Sequence, residues 1–162
     1  MSHPLPPPDT SGSQPNDIRV VIVDDHDLIR TALRALLSSE SDIEVCGDAS
    51  GGEAGATLVL ELRPDVVLMD LAMPGIGGIE ATRRIVLDWP QARVVVLTAF
   101  ADPRLMREAR TAGARGYVLK DADPRTVVSA VRDAAQGGCP ISAGATGPAD
   151  REVEHSHDGP WL

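Results

Sequence analysis

The chain has 162 residues, with 15 Lys and Arg against 24 Asp and Glu, giving a formal net charge of −9. That length suits one domain of about 100–150 residues with some to spare, and a hydrophobic content of 43% excludes wholesale disorder. Aromatic residues make up only 2%, so the core must be built from Val, Ile, Leu and Ala. The acidic balance argues against general nucleic-acid binding, because such a surface repels polyphosphate. Cys46 and Cys139 have neither disulfide-framework nor zinc spacing and fit a reducing cytoplasm. No apolar run approaches the roughly 18 residues of a membrane span, and the start lacks a basic segment followed by an apolar one.

Residues 1–17 hold Pro4, Pro6, Pro7, Pro8 and Pro15 among small polar residues, which predicts a disordered tail. From Ile18 onward, apolar runs alternate with helical patterns. IRVVIV (18–23) reads as a buried strand; Leu28/Ile29, Ala32/Leu33 and Leu36/Leu37 then recur at helical spacing. IEVCGDA (43–49) is a weaker strand. The next helix, 52–62, has Ala54, Leu58 and Leu62 four apart and is closed by Pro64. DVVLMD (65–70) is the third strand, a Gly/Pro loop follows, and 78–88 is helical. VVVLT (94–98), a helix over 103–112 and RGYVLK (115–120) come next. Pro124 opens the last helix, Val127, Val128 and Val131 mark its inner face, and Gly137 and Gly138 stop it.

Five strand–helix units predict an α/β fold with a doubly wound, five-stranded parallel sheet. The order 2-1-3-4-5 fits, with the polar second strand at an edge. In such sheets ligands bind beyond the carboxyl ends of the strands, where the strand order reverses. Four strands end there in a functional group: Asp24 and Asp25, then Asp70, then Thr98, then Lys120. Neighbouring strands lie about 4.8 Å apart, close enough for Asp24, Asp25 and Asp70 to bring their carboxylates together. At about 4 Å and an effective dielectric near 20, each like-charged pair costs roughly 4 kcal/mol as an upper guide. A divalent cation, a lysine or a raised pKa relieves such crowding. Acids with one lysine and one hydroxyl suit a metal and a phosphoryl group held together. Asp70, in the middle, is the natural nucleophile.

VVIVDDHDLIR (20–30), RPDVVLMDLAMPGIGGIEATRRI (63–85), VVVLTAF (94–100) and ARGYVLKDADP (114–124) together resemble the receiver domain of two-component response regulators. The variant is similar to that of the NarL/FixJ (LuxR-type) group, and the likeness spans 18–138 on a flavodoxin/CheY-like fold. The resemblance implies that Asp70 accepts a phosphoryl group from a sensor histidine kinase. It implies Mg²⁺ held by Asp24, Asp25, Asp70 and the backbone carbonyl of Ala72. Lys120 then pairs with a phosphoryl oxygen, and the Thr98 hydroxyl binds another. Tyr117 matches the switch aromatic that turns inward as Thr98 moves, so that phosphorylation changes a face for homodimerisation or partner binding. Gly77 stands where the group often has Asp or Asn before its third helix, with little cost to capping. His26 follows the acidic pair and is expected in the first turn of helix 1, exposed.

The rival reading is a haloacid-dehalogenase-type phosphatase with Asp25 as nucleophile, since Asp25-His26-Asp27 has the D-x-D spacing. It gives Asp70 no role, and Leu28 stands where that pattern wants Gly. After Gly138, residues 139–162 read as a flexible acidic tail with Arg151 as their only cation. They are too short and too acidic for the roughly 60-residue helix-turn-helix module of the NarL group, so this chain is not itself expected to bind DNA. A fragment of a longer transcription regulator and a stand-alone receiver both remain open at this point.

Overall fold

The computed structural model describes residues 17–141. Ten elements alternate: β1 (Ile18–Val23), α1 (Asp27–Ser38), β2 (Ile43–Ala49), α2 (Gly52–Leu62), β3 (Val66–Asp70), α3 (Gly78–Asp88), β4 (Val94–Thr98), α4 (Pro103–Ala112), β5 (Gly116–Leu119) and α5 (Pro124–Ala135). Every strand pair is parallel, and the order is β2-β1-β3-β4-β5, the order expected. The proposed tails, with His155, His157 and Arg151, fall outside the described residues apart from their innermost positions. Among the described residues no helix is long and apolar enough to cross a membrane.

The continuous apolar strands are explained by burial on both faces. Successive side chains on a strand point to opposite sides. Val20 and Ile22 of β1, Leu68 of β3 and Leu97 of β4 meet Leu33 and Leu37 of α1 and Val127, Val128 and Val131 of α5. Val21, Val23, Val67 and Met69 point the other way, onto Val59 of α2 and Ala81 and Ile85 of α3. Met106 and Ala109 of α4 close over Val96 and Tyr117. α4 and α5 begin alike: Asp102 and Asp123 each accept a hydrogen bond from the backbone N–H two residues on, at 2.8 Å, with proline at the first helical position.

Three details differ from expectation or add to it. In α2 the buried row is Gly52, Gly55, Ala56 and Val59, while Ala54 is exposed and Leu58 and Leu62 are half-buried. The cause is close approach: a Cβ at Gly55 would stand 2.6 Å from Val23 Cγ1. The helix therefore lies on its smallest residues, and Leu58 and Leu62 lean sideways over Gly47 of β2. The register of β1 against the edge strand β2 slips: Val20 pairs with Val45 but Val21 with Gly47, leaving Cys46 half-buried against the core. Residues 139–141, assigned to the tail by composition, lie against β5. Tyr117 N–H donates to the Pro140 carbonyl at 2.9 Å, and Tyr117 forms a parallel bridge with Ile141. An uncovered edge strand would leave such groups unpaired.

Gly78, at the start of α3, sits beneath the end of β3. A Cβ there would lie 2.0 Å from the Asp70 carbonyl oxygen, which is backbone and cannot swing aside. Gly78→Ala is expected to lower the unfolding free energy by about 1–3 kcal/mol, the usual cost of overpacking. Urea denaturation reads this, and an unchanged midpoint would show that β3 and α3 are not in tight contact.

Candidate functional site

Beyond the carboxyl ends of β1, β3, β4 and β5 the polar residues converge as the strand order demands. Asp24, directly after β1, is 1% exposed and its backbone N–H donates to the Ala49 carbonyl at 3.1 Å. Asp70, the last residue of β3, is 2% exposed. Lys120 reaches back from β5 and places Nζ 2.8 Å from Asp24 Oδ2 and 3.2 Å from Asp70 Oδ1. Its own backbone N–H is fixed by the Thr98 carbonyl at 2.7 Å. Asp25 is less buried and lies on the open side of the group.

The electrostatics follow from burial and crowding. Burial pushes the Asp70 carboxyl above its ordinary value, and the neighbouring Asp24 pushes it further; Lys120 and the Ala72 N–H, at 3.3 Å, oppose this without cancelling it. For Lys120, burial alone would favour the neutral amine. The hydrogen bond to Asp24 and the charges of Asp70 and Asp24 outweigh it and hold the ammonium above its usual range. Asp70 Oδ2 is buried with no hydrogen-bond partner, a costly condition unless something else binds it. One ligand atom each from Asp24, Asp25, His26 and Asp70 lies within 4.8 Å of the others, so the donor set fits a small divalent cation.

Thr98 is 1% exposed, and its Oγ1 accepts a hydrogen bond from Phe100 N–H at 3.3 Å. Tyr117 is 1% exposed and turned inward, its hydroxyl donating to the Phe100 carbonyl at 3.0 Å. Burial pushes the Tyr117 phenol up, partly offset by the adjacent Thr98 hydroxyl. Asp24, Asp25, Asp70 and Lys120 are thus brought together, and Thr98 ends the strand next to Asp70, with Tyr117 on β5 beside it. What sequence reasoning missed is His26. It is the N-cap of α1 rather than part of its first turn, and its ring turns back to within 3.2 Å of Asp24 Oδ1 and 3.1 Å of Asp25 Oδ1. The available signal was its place two residues after Asp24, whose Oδ1 accepts the His26 backbone N–H at 2.9 Å and folds the chain back.

A parallel sheet in this order, with a buried acid between two further acids and a lysine at its mouth, is the arrangement of a receiver-type domain. Residues 20–132 match the response regulator receiver domain family, and the chain belongs to it. It is 40% identical over 139 residues to the transcriptional regulatory protein LiaR of Bacillus subtilis, covering 86% of this chain and 66% of that protein. It is 43% identical over 120 residues to the response regulator GacA of Pseudomonas aeruginosa, covering 74% and 56%. The chain thus spans between about half and two thirds of the length of the curated relatives it matches. Among solved structures, a LuxR-family two-component response regulator from Aurantimonas superposes with a TM-score of 0.79 at 35% identity, covering 85% of this chain and 99% of that one. The signal receiver domain of the putative response regulator NarL from Mycobacterium tuberculosis gives 0.72 at 35% identity, covering 76% and 99%. The receiver is of the NarL/LuxR type, a signalling module and not a classical enzyme.

The phosphatase alternative is overturned. The matched family is the receiver, and Asp27, the second acid of the supposed D-x-D, is 86% exposed and pairs with Arg30 on the outside of α1. It takes no part in the cluster, whereas Asp70, which that reading left idle, is central.

The raised Asp70 pKa fixes the sign of a pH effect. A carboxyl that is harder to ionise in the fold than in the unfolded chain costs stability once it is charged. That cost is absent below the unfolded carboxyl range and complete above the raised folded value. Asp70→Asn is therefore expected to raise the denaturation midpoint at neutral pH without added divalent cations, and the gain should shrink as the pH falls through the carboxyl range. A gain independent of pH would assign the effect to packing instead.

Proposed function

We propose that the chain takes a phosphoryl group onto Asp70 from the phosphohistidine of a sensor histidine kinase. The observation that carries this is the state of the Asp70 carboxylate: buried, one oxygen held by Lys120, the other without a partner, beside two more acids. In the transfer an Asp70 oxygen forms a bond to phosphorus as the phosphorus–nitrogen bond of the donor breaks, and the freed imidazole takes up a proton. Asp24, Asp25, Asp70 and the Ala72 carbonyl would hold Mg²⁺. Bound there, the ion supplies positive charge against the acids and the incoming phosphoryl oxygens.

Lys120 pairs with one phosphoryl oxygen, exchanging part of its present contact with Asp24 and Asp70. The Thr98 hydroxyl takes another and leaves the Phe100 N–H, and Tyr117 secures the new position from below. The change remodels a face used for homodimerisation or partner binding, for which a preference of a few kcal/mol between states suffices. In a longer chain that output would be transcriptional, in the cytoplasm; the names of the relatives support this.

Incubation with acetyl phosphate and Mg²⁺ should add one phosphoryl group to the intact mass of the wild type and none to Asp70→Asn. Modification that persists in the variant would sink the assignment. Without a phosphodonor, Mg²⁺ at about 100 times its Kd should stabilise the wild type by about 2.7 kcal/mol. Thermal denaturation should show that gain lost in Asp25→Asn, and an equal gain in both proteins would place the ion elsewhere.

A further inference from the structure

His26 stands at the N-cap of α1, yet its side chain makes no capping hydrogen bond. The ring is 61% exposed and bent back over the acids, with Nδ1 at 3.1 Å from Asp25 Oδ1 and 3.2 Å from Asp24 Oδ1. Two donors at right angles around an ion with bonds of about 2.1 Å stand about 3.0 Å apart. Each of the two nitrogen–oxygen distances, which without an ion are hydrogen-bond contacts, also matches the spacing of neighbouring corners of an octahedron. Lys120 occupies the opposite side of Asp24, so His26 flanks the mouth without competing for that oxygen. The unpartnered, buried Asp70 Oδ2 is a separate sign that the group is built around something it does not itself contain.

We propose that His26 is a nitrogen donor to the cation site and that it shifts the site's preference from Mg²⁺ toward borderline first-row dications. This rests on the reading of the acids as a cation site and extends it to which cation they take. Magnesium is a hard ion that favours oxygen. Imidazole suits the later transition ions, whose affinity for nitrogen-containing sites rises along the series from Mn²⁺ to Cu²⁺. Coordination would use the lone pair of Nδ1, with the ring proton on Nε2. No bond other than the coordinate one forms or breaks. A cell's free transition-metal level would then bear on how readily Asp70 is phosphorylated.

The test uses the full chain with His3, His155 and His157 replaced by alanine throughout, so that His26 is the sole histidine. Affinities for Mg²⁺ and Co²⁺ are measured by titration calorimetry on this protein and on its His26→Asn and Asp25→Asn derivatives. Asparagine keeps a good N-cap and exchanges the nitrogen donor for an oxygen. His26→Asn is expected to weaken Co²⁺ about tenfold, to change Mg²⁺ by less than about twofold, and to shift the visible absorption of the Co²⁺ adduct. Asp25→Asn should weaken both ions. Equal changes for the two cations in His26→Asn, or none, would overturn the proposal, as would Co²⁺ binding untouched by Asp25→Asn. Failure of Mg²⁺ to bind the parent protein would instead overturn the cation-site reading beneath it, and the proposal with it.

Discussion

Lys120 holds together what would otherwise repel. Its ammonium touches both Asp24 and Asp70, the two most buried acids of the group, and its charge is reinforced by theirs. One lysine against three carboxylates still leaves the mouth with two uncompensated negative charges. That surplus is the useful quantity. It adds to burial in keeping Asp70 reluctant to ionise, and a single divalent cation would match it. A phosphoryl group taken onto Asp70, as proposed, would bring new negative oxygens to the same place, so that chemistry would depend on balancing charge at one point.

The rest of the fold serves that convergence. Because β1 and β3 are neighbours, Asp24 and Asp70 end adjacent strands without any contact being made by a loop alone. β4 and β5 add Thr98 and Lys120 in turn, each at a strand end fixed by backbone pairing. Glycine at positions 55 and 78 lets α2 and α3 close onto Val23 and the Asp70 carbonyl, so the strand ends carrying the acids are clamped from below. Precision at the mouth is thus a property of buried backbone.

Much of this was legible because it depends on patterns that a sequence records directly. The β-branched runs at 18–23, 65–70 and 94–98 announce strands covered on both faces, and residues at their carboxyl ends inherit the ligand site from topology. What escaped depends on side chains bending across short distances. His26 looked like an ordinary first-turn residue because its place two residues after Asp24 was given no weight, although Asp24 accepts its N–H and folds the chain back. The phase of α2 was misjudged because leucines outweigh glycine on any hydrophobic scale, although Gly55 is what permits contact with Val23. Residues 139–141 read as tail because pairing with the edge of β5 uses main-chain groups, to which composition is blind.

That last contact joins the site to the chain leaving the domain. Thr98 Oγ1 accepts from the Phe100 N–H, the Phe100 carbonyl accepts from the Tyr117 hydroxyl, and the Tyr117 N–H donates to the Pro140 carbonyl. Each such bond is worth about 1 kcal/mol net, so none locks the structure. A rotation of the Thr98 side chain that carries Oγ1 away from residue 100 would break the Phe100 bond. Phe100 is then free to shift the carbonyl that holds Tyr117, whose ring is packed with Val96, Met106 and Ile141. A tightly packed aromatic does not drift by small amounts; it keeps its place or repacks with its neighbours. Burying the only tyrosine of the chain between Thr98, proposed to bind a phosphoryl oxygen, and residues 139–141 would therefore give a small movement at the acids a route to the edge of the sheet.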